Sequence, residues 1–339
     1  MVQTESQSQE RVYEWEEMEI GHDAPPLAKE ITKELISNYA RSMEDEAPEY
    51  QDDGAAKALG FGGVIAPPGM LFQIGPMRRL DIMHARGYIS PEEKKVNPRA
   101  TPFTGTEINF QPIPIRAGDV ITSVTRIANR WESRSGNRFV SFGITAQNQR
   151  GETILDYYYT VLWEYSKGQK SRSANAAAAP KPPEPDIATG KVIGSETDFA
   201  DIQLNDTLPG LTNQVTQDLI DDYIHMDRGG TELSPAALLH VDTKFAEATV
   251  FAGTTQGGPQ AVAYVIQMLA AGLGLKRLMN GTTFNERALE PVRPGDEVSY
   301  VARVLEKREE TGKQVVDFEV TGTNQLGQTT SAAKVVVNW

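Results

Sequence analysis

The sequence predicts an α+β protein in which one unit is built twice along a single chain. Three observations carry this. Segments rich in β-branched and aromatic residues come in two runs, from about Thr104 to Tyr165 and from about Thr282 to Trp339. Each run follows a stretch of apolar residues at helical spacing. The same landmarks recur in the same order in both halves, on either side of a Ser-, Ala-, Lys- and Pro-rich stretch.

Residues 1–20 are polar and acidic with scattered aromatics, which predicts an N-terminal tail. The first unit spans 21–165. A short strand is expected within Pro25–Thr32, and Leu35, Ile36, Tyr39 and Met43 fall on one helical face with Thr32 as its N-cap. The Gly/Pro-rich stretch from Gly60 feeds a long apolar helix running to about Met83. Residues 84–103 show no period and read as a loop. Four strand segments follow, separated by the turn sequences RAGD, SGN and QRGE.

Residues 166–190 form the expected linker, semi-extended where its prolines cluster. The second unit, 191–339, repeats the order: a helix over Leu211–Met226, an apolar helix after Gly258, then four strand segments.

The two halves align by eye. Tyr50 to Gly63 matches His240 to Gly253, Arg116-Ala117-Gly118-Asp119 matches Arg293-Pro294-Gly295-Asp296, and Asn148 to Gly151 matches Asn324 to Gly327. Trp163 matches Trp339. The offset is 190 at Phe61 and 177 at Gly118, so the first half carries 13 extra residues after its helix. At Tyr39 the offset is 184, so the second half carries six extra residues just before His240. Two such units in one chain predict a pseudo-dimer.

Composition excludes several classes of function. With no cysteine there is no disulfide, thiol nucleophile or thiolate metal site. A net charge of −13 argues against a non-specific nucleic-acid binder. No apolar run reaches the roughly 20 residues of a membrane span, and the N-terminus resembles neither a secretory signal nor a transit peptide. The expectation is a soluble, cytoplasmic protein without membrane or nucleic-acid partners. His22, His84 and His225 share no ligand spacing, so no metal site is expected. The paired glycines are not followed by the Lys-Ser/Thr of a phosphate loop.

The stretch from His240 to Gly258 holds the chemistry. An imidazole precedes a Gly-rich entry into an apolar helix. Free N–H groups at a helix start can hold a developing oxyanion while the imidazole handles a proton.

These strings resemble the MaoC-like dehydratases, which include the R-specific, type-2 enoyl-CoA hydratases. The resemblance rests on Phe61-Gly62-Gly63-Val64-Ile65-Ala66 after an acidic Pro motif and on Gln111-Pro112 followed by Gly118-Asp119. It implies two hot-dog domains in tandem, each an antiparallel sheet wrapped round a long helix. It also implies addition or removal of water across the 2,3 bond of an acyl thioester. The partner would be an acyl-CoA or an acyl-carrier-protein thioester, with no cofactor, and a homodimer of double hot-dogs is a further expectation. The family motif reads D-x-N-P-x-H-x-D. In the first half it has become Asp45-Glu46-Ala47-Pro48-Glu49-Tyr50-Gln51-Asp52, with Tyr for His, and Pro68 falls where the family's oxyanion Gly sits. The resemblance therefore makes the first half a non-catalytic partner.

In the second half His240-Val241-Asp242 fits the H-x-D, and Gly257-Gly258 fall at the oxyanion position. The motif's upstream acid is displaced by the insertion, so Glu232 and Asp227 are both candidates for the carboxylate partner of His240. The Met70, Met77 and Met83 stripe reads as core or acyl-pocket lining, and Arg78, Arg79, Lys276 and Arg277 as dipole complement or phosphate contacts. Two rival readings stay open: a hot-dog acyl-CoA thioesterase, and a non-catalytic acyl-thioester binder or subunit of a hydratase complex.

Overall fold

The computed structural model describes residues 11–166, 190–226, 233–249 and 251–339. Asp227 and Glu232 lie outside the described residues.

Ten strands are described: β1 (Leu27–Glu30), β2 (Phe103–Asn109), β3 (Val120–Glu132), β4 (Arg138–Gln147), β5 (Thr153–Glu164), β6 (Leu211–Gln214), β7 (Thr283–Ala288), β8 (Glu297–Glu310), β9 (Lys313–Asn324) and β10 (Thr329–Asn338). They form one sheet in the order β1-β3-β4-β5-β2-β7-β10-β9-β8-β6. Every pairing is antiparallel. The order reads the same from both ends, so the halves meet at one central pair, β2 and β7, with Thr106 opposite Glu286. At this joint a methyl group on Gly105 would stand 2.3 Å from the Glu286 carbonyl oxygen, so only glycine lets the two strands approach.

Period-2 patterning drives the strands. Ile121, Ser123, Thr125 and Ile127 of β3 point inward, as do Val298, Tyr300, Ala302 and Val304 of β8. The bulges fall at equivalent places, between Ile127 and Asn129 and between Val304 and Glu306. The repeated turns do identical work. Arg116 donates to the Phe61 carbonyl at 2.8 Å and Arg293 to the Phe251 carbonyl at 2.6 Å. The Asp119 and Asp296 carboxylates each accept from the backbone N–H of the Arg three residues earlier. Thr32 and Thr216 cap equivalent helices, Lys33–Ser42 and Gln217–His225. The second starts later than the Leu211 expected, because Leu211–Gln214 pair with β8 as strand β6 and the Thr216 cap sets the helix start.

The helix Gly258–Leu273 is apolar nearly all round, and ten of its residues are buried, as a helix enclosed by sheet must be. Its counterpart differs from the long helix expected in the first half. That segment is a 3₁₀ turn, Pro68–Met70, then a single turn, Leu71–Ile74, a break, and a second short helix, Arg79–His84. Gly75-Pro76 is the cause. Proline has no N–H for the helix ladder and disfavours helical geometry at the residue before it. The freed Gly75 carbonyl accepts the Tyr157 hydroxyl at 2.6 Å. The two halves share one hydrophobic core, and Gly69 lies so close to Ala263 that a methyl there would sit 3.2 Å from the Ala263 Cβ.

Candidate functional site

His240 lies in the last turn of a short helix, Pro235–Val241. Ser234 caps this helix and Pro235 occupies its first turn, where a missing N–H costs nothing. Asp242 ends it and caps the next, Thr243–Glu247, accepting the Phe245 N–H at 2.9 Å. The aspartate of the H-x-D string is thereby a helix cap, and Asp52 does the same in the first half. Gln217 fastens the segment from behind. It donates to the His240 carbonyl at 2.8 Å and accepts from the Thr254 hydroxyl at 2.8 Å.

The imidazole is oriented by the chain it faces. His240 Nδ1 lies 2.8 Å from the Thr255 carbonyl oxygen, which only accepts, so Nδ1 carries the proton and Nε2 is the lone-pair nitrogen. Burial holds the imidazole below its ordinary value, with the Thr255 carbonyl acting weakly against that shift. It is therefore neutral at neutral pH. A methyl group on Gly257 would stand 3.8 Å from Nε2, so the ring borders the start of the long helix. Among the described residues no carboxylate forms an ion pair with His240.

At the helix start Gly257 is the N-cap, Gly258 the first helical residue and Pro259 the second, so one early N–H is missing by chemistry. The Gly258 N–H has no acceptor among the described residues. The Gly258 α-carbon is covered by Phe103 from β2, and a side chain there would collide with the ring at 2.2 Å. Phe103 in turn packs on Tyr159, ring centroids 4.8 Å apart.

His240 and Gly258 open into one cavity of about 660 Å³ between the halves. Its second-half wall includes Leu239, Phe245, Phe251, Val292 and Tyr300. Its first-half wall is built largely by the expected loop, through Glu92, Asn97, Pro98 and Ala100 to Phe103. Arg79 is the Lys or Arg side chain lining it among the described residues. Arg79 is bound to Glu92 at 2.6 Å, both side chains being 6% exposed, and Thr101 bonds to both.

One group in this wall was not foreseen. Glu286, on β7, is 3% exposed, and its Oε2 has no hydrogen-bond partner. Burial pushes its carboxyl up to about 8, against a weaker opposing effect of the Ser331 hydroxyl. The signal was present in the strand pattern: Phe284, Glu286 and Ala288 alternate onto one face, and an acid on the core face of a strand is anomalous. Gln256 and Thr330 also line the cavity with a buried side-chain oxygen lacking a partner.

The first-half counterpart is smaller. Tyr39, Tyr50, Pro68 and Gly69 border a space of about 10 Å³, and Asp45 and Tyr50 also border one of about 170 Å³. Burial pushes Asp45 up to about 6, and it raises Tyr50 as well. The remaining singled-out residues do structural work. His22 bonds Tyr13, His84 bonds Glu93, and His225 bonds the Asp221 carbonyl. Arg277 stacks over Trp339 at 4.1 Å. Met70 and Met83 are core, and Met77 packs against it. Among the described residues no three metal-ligating side chains cluster, and no helix is long and apolar enough to cross a membrane.

Comparison with known proteins agrees with this architecture. Residues 18–157 match the family described as FAS1-like, dehydratase domain region. A MaoC-like dehydratase structure covers 94% of this chain and 98% of its own at a TM-score of 0.68 and 17% identity. Rv0216 of Mycobacterium tuberculosis, described as having a double hotdog fold, covers 95% and 97% at a TM-score of 0.57 and 14% identity. These likenesses define the fold as a double hot-dog, two such units in one chain. By sequence the chain belongs to the family of the UPF0336 proteins: that of Streptomyces coelicolor is 30% identical over 137 residues, 40% of this chain and 86% of the relative. A shorter match, 33% over 79 residues and 23% of each chain, is to the 3-oxo-4,17-pregnadiene-20-carboxyl-CoA hydratase alpha subunit of Mycobacterium tuberculosis.

Proposed function

We propose that the protein is a hydratase or dehydratase that adds or removes water across the 2,3 bond of an acyl thioester held in the 660 Å³ cavity. The observation that carries this reading is the pairing, in one cavity, of a lone-pair nitrogen with an uncommitted helix-start donor. His240 Nε2 takes a proton from water as the water oxygen bonds to C3. The thioester oxygen gains negative character as C2 becomes enolate-like, and the Gly258 N–H stabilises it. One such donor contributes roughly 3 kcal/mol in the transition state. The addition balances with water alone.

The acyl group is bulky and uncharged in this reading. The cavity falls in the size range of pockets for drug-sized ligands and far exceeds a four-carbon chain. Arg79 is already held by Glu92, so no cation is free in the described wall to receive a distal carboxylate. This disfavours a short dicarboxylic acyl group. Support also comes from the dehydratase-region match and from the name of the pregnadiene-carboxyl-CoA hydratase subunit.

The test is the loss of conjugated-thioester absorbance with trans-2-enoyl-CoAs of increasing bulk, for wild type and His240→Ala. Turnover abolished by the substitution supports the reading. Release of free CoA thiol without loss of the double bond would replace it with the thioesterase, and binding without either reaction with the non-catalytic binder.

A further inference from the structure

We propose that the Glu286 carboxyl is the second acid–base group of this cavity, delivering a proton to C2 when water adds and removing it in the reverse direction. The inference rests on the thioester hydratase reading above and supplies the carboxylate that reading lacks. The sequence candidates Glu232 and Asp227 lie outside the described residues.

Three observations converge on Glu286. It lines the same cavity as His240 and Gly258, yet no cation pairs with it among the described residues. One carboxyl oxygen is buried without a partner, in a wall where Gln256 Oε1 and Thr330 Oγ1 are likewise uncommitted. Orphaned polar atoms are costly in a protein interior, and three around one apolar cavity are explained if ligand and water atoms complete them. The first half offers the contrast. The residue equivalent to Glu286 in the sheet is the apolar Ile108: Glu286 lies opposite Ala333 of β10 as Ile108 lies opposite Tyr157 of β5.

The groups around Glu286 come from three other strands and the facing wall. They are Ser331 and Thr330 from β10, Tyr300 from β8, Gly105 and Thr106 from β2, and His240 across the cavity. Tyr300 is kept protonated by burial far above neutrality. Arg79 with its partner Glu92, and Glu290, also line the cavity. At neutral pH the carboxyl is protonated and the imidazole is not, the state from which hydration starts.

The step balances as follows. A lone pair of the water oxygen forms the C3–O bond, and one water proton passes to His240 Nε2. The C2=C3 π electrons, delocalised onto the thioester oxygen, collapse to form the C2–H bond with the proton from Glu286. The O–H electrons remain on the carboxylate, and the proton on the imidazolium returns to it through solvent in the cavity. Dehydration runs the same path backwards.

The experiment compares wild type, Glu286→Gln and Glu286→Asp in the full chain. Hydration of trans-2-decenoyl-CoA is followed between about pH 5 and 10. Exchange of the C2 protons of saturated decanoyl-CoA in D2O, followed by NMR, reads proton transfer at C2 without water addition. The proposal predicts that Gln lowers both rates at least about 100-fold and removes the fall of hydration above about pH 8, while Asp restores part of each. Exchange that depends on Glu286 without any hydration would uphold its role and sink the hydratase reading. Rates and pH profile unchanged in the Gln variant would overturn the proposal. So would a wild type that catalyses neither exchange nor hydration.

Discussion

Glu286→Gln is expected to change the pH dependence of folding, whatever the substrate. The side chain is 3% exposed and its carboxyl is raised from an ordinary 4.5 to about 8. The sign follows from proton counting. Between these values the folded chain holds a proton on Glu286 that the unfolded chain has lost, so rising pH favours unfolding. The stabilisation is complete below about 4.5 and is lost progressively up to about 8. At about 1.4 kcal/mol per unit the loss is about 3 kcal/mol by pH 7 and roughly 5 kcal/mol by pH 9. Gln is nearly isosteric and never ionises, so it removes this dependence. Urea denaturation of both proteins at pH 5, 7 and 9 measures it. The variant should be close to wild type at pH 5 and more stable by several kcal/mol at pH 9. Asp45, pushed up to about 6, adds a dependence of the same sign, but it is common to both proteins and cancels in the difference. Parallel stability curves would refute the reasoning, because they would mean that Glu286 is ionised and solvated in the native state.

Other expectations concern the joint between the halves and the wall of the cavity. Gly105→Ala places a methyl 2.3 Å from the Glu286 carbonyl oxygen and should destabilise the chain by more than about 3 kcal/mol, read by urea unfolding. Arg79→Ala leaves Glu92 buried without its cation and should cost roughly 3–5 kcal/mol at pH 7, whereas replacing both residues by apolar ones should cost much less. Gly258→Ala collides with Phe103 and should weaken acyl-CoA binding, measured by calorimetry. Pairing it with Phe103→Ala should restore binding in part.

The fold was legible because the repeat is written in residues with the same mechanical task in both halves. The Arg-x-Gly-Asp turns are an example: Arg116 and Arg293 reach back to the Phe61 and Phe251 carbonyls that the alignment had already paired. Strand alternation was equally readable. The first-half helix was overextended because its apolar residues continue at helical spacing through Gly75-Pro76, and the break depends on backbone chemistry that hydrophobic periodicity does not register. His240 and Gly258 could be located by motif. Their cavity could not, since its first-half wall comes from residues 92–103, a segment with no periodicity. Glu286 was missed for a related reason. It lies 46 residues beyond His240 on a strand, and only the sheet order brings it to the cavity.

The central claim, that this cavity adds water to a bulky acyl thioester through His240, is tested most directly by one comparison. Wild type and His240→Ala are assayed with trans-2-decenoyl-CoA and crotonyl-CoA at pH 7, following loss of the conjugated-thioester absorbance. The account predicts turnover of the larger substrate in preference to the smaller, reduced at least about 100-fold by the substitution. Turnover undiminished in His240→Ala would contradict it, as would a folded wild type that leaves both double bonds intact.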